Sequence, residues 1–223
     1  MHCRQERLEI EMGKLNIPLR ERKKAKTKIA LYEACLDMSV EQSFREMKVE
    51  DICAQVEVSK VTFFKCFPKK EDVLVYYMCV WLTKRWLEID EQGLRGWDAA
   101  KHLFACIVED DHARPGIMLR LVGLLAEEKM HPLMPMLTDA EIHLLFPGKE
   151  ERAREIDPNL YVLMRRIAEE AIAKGEATER YSVGQMTEML FTIFYGTYLT
   201  AHLMMRGDDI MACYMEHLEV LAK

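Results

Sequence analysis

Residues 49–67 read VEDICAQVEVSKVTFFKCF, and this stretch decides the fold. Ile52 and Val56 give an apolar edge to a short helix over about Val49 to Val56, and Glu57-Val58 makes a tight corner. Ser59 is then placed to cap a second helix, running to Cys66, that carries Phe63 and Phe67 four residues apart. Two short helices joined in this way form a helix-turn-helix. Val58 plugs the corner, the two phenylalanines face inward together, and Lys60, Val61, Thr62, Phe64 and Lys65 are left facing outward. Such a face can reach base edges and phosphates when the helix lies in a major groove.

The surrounding charge is graded. Net charge is −6, but residues 1–90 hold 17 Lys/Arg against 15 Asp/Glu, whereas 91–223 hold 14 against 22. Arg20 to Lys28 alone carries six cations and one anion. A run of this kind supplies phosphate contacts and steers an anionic partner, although most such runs are solvated helix starts.

Elsewhere apolar residues recur at three- and four-residue spacing, and strand signals are nearly absent, so the chain is expected to be all-α. Ile29, Leu36 and Val40 fall on one stripe and predict a first helix from about Arg22 to Gln42. A fourth helix is expected from Lys70 to about Gln92, with another from a cap at Asp98 to near Asp111. Pro115-Gly116 opens a helix to about Met130, before His131-Pro132, and a capping box at Thr138/Glu141 leads one stopped by Pro147-Gly148. Asp157-Pro158 starts one that reaches Gly175; a second capping box at Ser182/Gln185 begins a long apolar helix to Arg206; Gly207-Asp208 turns into the last. This makes about nine helices. Character changes near Leu74, where short polar helices give way to long ones rich in Met and aromatics. The expected organisation is an N-terminal extension at 1–21, a three-helix helix-turn-helix domain at 22–75, and a larger helical bundle at 76–223.

Composition excludes several classes. Half the residues are hydrophobic, too many for a disordered chain, and the apolar run from Val73 to Leu82 is about half the length that crosses a bilayer. The charged N-terminus carries no export signal, and the seven scattered cysteines lack C-x-x-C spacing, so a soluble cytoplasmic protein with reduced thiols and no membrane span is expected. Catalysis is not expected, since G-x-S-x-G, H-E-x-x-H and glycine-rich phosphate-loop patterns are all missing from the sequence.

Asp51-Ile52, Val58-Ser59, Thr62-Phe63-Phe64, Phe67, Lys70-Glu71 and Leu74 carry a specific resemblance. Their order and spacing make the stretch from Thr27 to Leu74, about a fifth of the chain, resemble the DNA-binding domain of the TetR family of transcriptional repressors. Glu57 stands at the family's turn glycine, Val61 at another common glycine, Phe64 at a tyrosine, and Met47-Lys48 at a pair of threonines. The resemblance implies a ligand-responsive regulator, a repressor that binds a palindromic double-stranded DNA operator as a homodimer. Lys60 and Thr62 are the expected base contacts, and Lys48, Ser59, Lys65 and Lys70 the expected phosphate contacts. Val61 and Phe64 supply apolar contact, as to a thymine methyl.

The C-terminal part matches that family in architecture alone, so its reading is physical. Ser182 to Arg206 carries too much apolar surface for one buried side; with Ile210 to Leu221 it is the candidate homodimer interface, Gly196 permitting close approach. Trp81, Phe104, Met118, Leu121, Met164, Phe191, Tyr195, Tyr198 and His202 are candidates to line a cavity for a small apolar or amphipathic ligand, against the plainer reading that they fill a core. His102, Cys106 and Asp110 share a helix face at a spacing compatible with a transition metal, and His202 could face a haem. With no matching Cys/His cluster elsewhere, neither metal nor cofactor is assigned. The alternative function is a helical small-molecule-, haem- or metal-binding protein that binds no operator.

Overall fold

A computed structural model describes residues 17–127, 134–205 and 209–223. The expected extension up to residue 16, the helix end at Met130 and the turn at Gly207-Asp208 lie outside the described residues. Those described form α1 (Leu19–Met38), α2 (Val49–Gln55), α3 (Lys60–Cys66), α4 (Asp72–Glu91), α5 (Trp97–Ala113), α6 (Ile117–Glu127), α7 (Asp139–Leu145), α8 (Glu150–Glu155), α9 (Leu160–Ala173), α10 (Val183–Thr192), a π-helical turn (Ile193–Thr197), α11 (Tyr198–Leu203) and α12 (Ile210–Glu219). Extended structure among them is limited to a bridge between Ala177 and Ala222. The chain is all-α, as its periodicity predicts.

Two compact units divide the helices: residues up to 84 with 124–156, and 85–123 with 157–223. In the first, α1 packs on α2, α3 and α7. Leu31, Ile52, Phe63, Phe67, Leu74, Tyr76 and Leu82 are among its fully buried large side chains. Each contributes on the order of 2 kcal/mol relative to exposure. Tyr76 is the hub of their rings, with edge-on contacts to Tyr32 at 5.3 Å and to Phe67 at 5.6 Å.

The same unit holds a buried polar knot. Glu141 on α7 pairs with Lys28 on α1 at 2.6 Å and accepts from the Tyr76 hydroxyl at 3.0 Å. Its other oxygen accepts from the Thr138 amide and hydroxyl, both at 2.8 Å, which completes the capping box expected from sequence. Burial pushes the Glu141 carboxyl up, but Lys28 and Thr138 outweigh it and hold the group below the ordinary value.

In the second unit α5 lies between α9 and α12, and α9 pairs with α10. Phe104 of α5 stacks on Tyr214 of α12 with centroids 4.3 Å apart and planes 8° apart. Ser182 and Gln185 form the second capping box. Two starts differ from expectation. Gly96, at φ +59°, precedes α5 in place of Asp98; a Cβ there would sit 2.5 Å from Glu176 Oε2, so the approach of that carboxylate to the helix start requires glycine. At α9 the cap is Asn159, whose side chain accepts from the Tyr161 amide, rather than Asp157.

The long helix expected from Ser182 is interrupted at Ile193–Thr197 by the π turn. Its Phe194 carbonyl accepts from the Tyr214 hydroxyl at 2.7 Å, and the Thr197 hydroxyl meets His217 Nδ1 at 2.7 Å, so α12 serves polar groups that the wider turn presents. Apolar side chains remain outward on this unit: Tyr161, Val162 and Ile172 on α9, and Leu199 and Leu203 on α11. The rings of Tyr161, Phe191 and Tyr195 run on at 6.0 Å intervals. On α12, Ile210, Cys213, Tyr214 and Leu218 are instead turned inward.

Candidate nucleic-acid interface

The corner between α2 and α3 is a Schellman turn. The Val58 amide reaches back to the Cys53 carbonyl at 3.0 Å and the Glu57 amide to the Ala54 carbonyl at 3.2 Å. Glu57 takes the left-handed position at φ +57°, so the glycine-type backbone is kept by a residue that carries a Cβ. Ser59 then caps α3, its hydroxyl accepting from the Thr62 amide at 3.2 Å and lying 3.0 Å from the Thr62 hydroxyl.

This geometry sorts the side chains of α3 by face. Phe63 is wholly buried and Phe67, just past the helix, nearly so. Val61 is 63% exposed and Phe64 46%, and Lys60 and Lys65 are exposed beside them. Phe64 is fixed by an edge-on contact with Phe63 at 5.4 Å. Such a surface exposes two cations and two apolar groups, and Ser59 and Thr62 add paired hydroxyls at its start.

The remaining expected contacts fall differently. Lys48 is exposed at the start of α2. Lys60 Nζ pairs with Glu50 at 2.9 Å; both side chains are 57% exposed, so the bridge is weak and a phosphate can displace it. The pairing raises the Lys60 ammonium above its ordinary value and lowers the Glu50 carboxyl. Lys70 has another occupation: its ammonium donates to the carbonyls of Phe44 at 2.9 Å, Met47 at 3.0 Å and Arg45 at 3.3 Å, and lies 4.9 Å from the Phe44 ring centre. It braces the segment between α1 and α2.

Trp81, buried, belongs to the first unit; the other candidate ligand residues belong to the second. Phe104, Met118, Leu121 and Met164 are buried among core side chains, whereas Phe191 and Tyr195 are half-buried. Tyr198 is buried and its hydroxyl donates to Asp111. His202 is half-buried, with Nδ1 2.9 Å from the Tyr198 carbonyl and Nε2 3.5 Å from Asp111. Sequence reasoning missed Asp111, a carboxylate with only 11% of its side chain exposed, because nothing in its local pattern distinguishes it from a solvated acid. It missed Glu50 for the same reason. Asp110, read as a possible metal ligand, lies 3.8 Å from Arg114 one turn on.

Among the described residues, no helix is long and apolar enough to cross a membrane. Neither a protein-family model nor a curated protein matches the chain. Solved structures do. A protein described in connection with the control of antibiotic production by a bacterial hormone aligns over 89% of this chain and 98% of its own, at 17% identity and a TM-score of 0.56. NemR of E. coli, in its reduced form, aligns over 89% and 98% at 14% identity and 0.57. FadR of Thermus thermophilus, a TetR-family transcriptional repressor in complex with lauroyl-CoA, aligns over 86% and 92% at 19% identity and 0.57. The chain has the TetR-family fold.

Proposed function

We propose that the chain is a ligand-responsive transcriptional regulator of the cytoplasm, a repressor that holds a palindromic operator as a homodimer and is released from it by a small molecule. The observation that carries this reading is the sorting of α3: Phe63 and Phe67 buried, Lys60, Val61, Phe64 and Lys65 outward, behind a Ser59 cap. Lys60 and Thr62 are assigned to bases, Lys48, Ser59 and Lys65 to phosphates, and Val61 and Phe64 to apolar groove contacts. Lys70, engaged with three carbonyls, stands behind them as a brace.

Dimerisation is assigned to the apolar row of α10–α11, extended onto α9 through Tyr161. Gly196 supports this: within the protomer an added Cβ would meet nothing nearer than the Thr192 methyl at 3.9 Å, so the protomer itself does not require glycine there. Two recognition helices related by a two-fold axis then meet major grooves about 34–36 Å apart. The second unit, with its Met and aromatic core and the Asp111–Tyr198–His202 cluster, is assigned the ligand, small and apolar or amphipathic. FadR, of the same fold, holds lauroyl-CoA. Release requires that the ligand favour a conformer whose recognition helices are mis-spaced for DNA, because only a difference in affinity between conformers shifts the balance.

A gel shift against the DNA flanking the chain's own gene tests the reading, with sedimentation in parallel. Expected are a salt-sensitive specific complex and a species of twice 26.1 kDa at micromolar concentration. A monomer that binds flanking and unrelated DNA equally weakly would refute it in favour of a ligand-binding protein without an operator.

A further inference from the structure

Three donor atoms of different chemistry converge within the second unit. His102 and Cys106 stand one turn apart on α5, and Glu88 reaches them from α4. Glu88 Oε2 lies 3.0 Å from His102 Nε2, which lies 3.6 Å from Cys106 Sγ, and all three atoms fall within 4.8 Å of one another. Sequence spacing picks out the α5 pair but extends it along the helix to Asp110; the third donor comes from the neighbouring helix.

The distances suit one small ion. Bond lengths of about 2.1 Å to nitrogen and oxygen and about 2.3 Å to sulfur, at tetrahedral angles, require N···S of about 3.6 Å and N···O of about 3.4 Å. The first is met, and the second needs an opening of a few tenths of an ångström, within reach of a Glu88 rotamer adjustment. Arg85, itself buried, donates to the other Glu88 oxygen at 3.0 Å, fixing the carboxylate while leaving Oε2 turned to the cluster. Burial holds the Cys106 thiol above its ordinary value, and the charge and hydrogen bond of Arg85 offset only part of this, so it is an incoming cation that must supply the rest of the stabilisation of the thiolate. Side-chain exposures of 20% for His102 and 22% for Glu88, over a buried Cys106, leave one side of the cluster open.

We propose that Glu88, His102 and Cys106 bind one borderline divalent transition-metal ion of the Zn2+ class, with the fourth position open to water or an outside ligand. A mixed N/O/S donor set selects such an ion over Mg2+ or Ca2+, which take oxygen. Loading releases the thiol proton, so affinity rises with pH. The site lies inside one unit and its test does not depend on operator binding.

Full-length protein stripped with chelator and titrated with Co2+ is the probe. Expected are one ion per chain, the intense near-ultraviolet charge-transfer band of a thiolate ligand, and displacement by Zn2+. Cys106→Ser abolishes the band, Glu88→Gln and His102→Gln weaken binding at least tenfold, and Cys3→Ser leaves it unchanged. Far-UV circular dichroism monitors folding; should Cys106→Ser unfold, Glu88→Gln, at a partly exposed side chain, gives the deciding measurement. A missing band at equimolar Co2+ overturns the proposal, as does a band undiminished in Cys106→Ser or an affinity unchanged in Glu88→Gln. The cluster is then an Arg85–Glu88–His102 hydrogen-bonded brace beside a packed thiol.

Discussion

Replacing Lys70 with Met separates a brace from a phosphate contact. Met keeps the aliphatic stem and removes the ammonium that donates to the Phe44, Arg45 and Met47 carbonyls. The bonds to Phe44 and Met47 are part-buried and that to Arg45 is exposed. Allowing about 1 kcal/mol for each part-buried bond, nothing for the exposed one, and about 0.5 kcal/mol for the contact with the Phe44 ring gives a loss of roughly 2.5 kcal/mol. With an m value of about 2 kcal/mol/M, the urea midpoint of the first unit drops by about 1.2 M. The salt dependence of operator affinity supplies the second axis. Each phosphate contact contributes about 0.9 to the log–log slope, so Lys65→Ala lowers the slope of a dimer by about 1.8 while leaving the midpoint in place. Lys70→Met is expected to do the reverse. A Lys70→Met protein that keeps its midpoint within about 0.2 M and loses slope as Lys65→Ala does would refute the reasoning.

Phe63→Ala, at a fully buried ring, is expected to cost about 3–4 kcal/mol in urea denaturation, whereas Phe64→Ala costs under about 0.5 kcal/mol and weakens operator binding in the same gel shift. Glu57→Gly relieves the left-handed strain of a side-chain-bearing residue and raises thermal stability by about 0.5 kcal/mol after the added freedom of the unfolded chain is counted; a lowered Tm would contradict it. Because the folded-state value of Glu141 is depressed, its contribution is fully present above the unfolded carboxylate value near 4.5 and is lost as pH falls through the folded one. Glu141→Gln should therefore cost about 2–3 kcal/mol at pH 7 and flatten the acid limb of the stability profile, measured from pH 7 to pH 3.

What the sequence disclosed was local. Ser59 and the Phe63/Phe67 pair act across four residues or fewer, as do the capping boxes at Thr138 and Ser182, and each could be read from spacing alone. Val40 was misplaced because a stripe continues on paper after a helix has stopped: α1 ends at Met38, and Val40 is 59% exposed. The short helix α8 was missed altogether between a proline-glycine stop and the next proline. Lys70 looked like a helix-start cation aimed at phosphate, since its acceptors are backbone carbonyls 23 to 26 residues earlier, which no pattern advertises. Asp111 and Glu88 fail to stand out for the same reason, because Tyr198 and His202, which meet the first, and His102, which meets the second, lie on other helices.

The π turn gives the second unit its rotational phase. An α-helix advances about 100° per residue, so one residue accommodated in a wide turn swings everything after it by nearly a third of a revolution without changing the axis. Tyr198 and His202 face Asp111, and Leu199 and Leu203 face outward, in the register that Ile193–Thr197 sets. Excising Gly196 would let the backbone relax into unbroken α-helix with Tyr198 and the leucine row still on their present faces, whereas the same residues wound as unbroken α-helix without that excision would carry Tyr198 off its carboxylate and turn the leucine row. The wide turn thus sets the buried polar cluster and the outward leucines in one register, so neither face can be rephased at that point without the other.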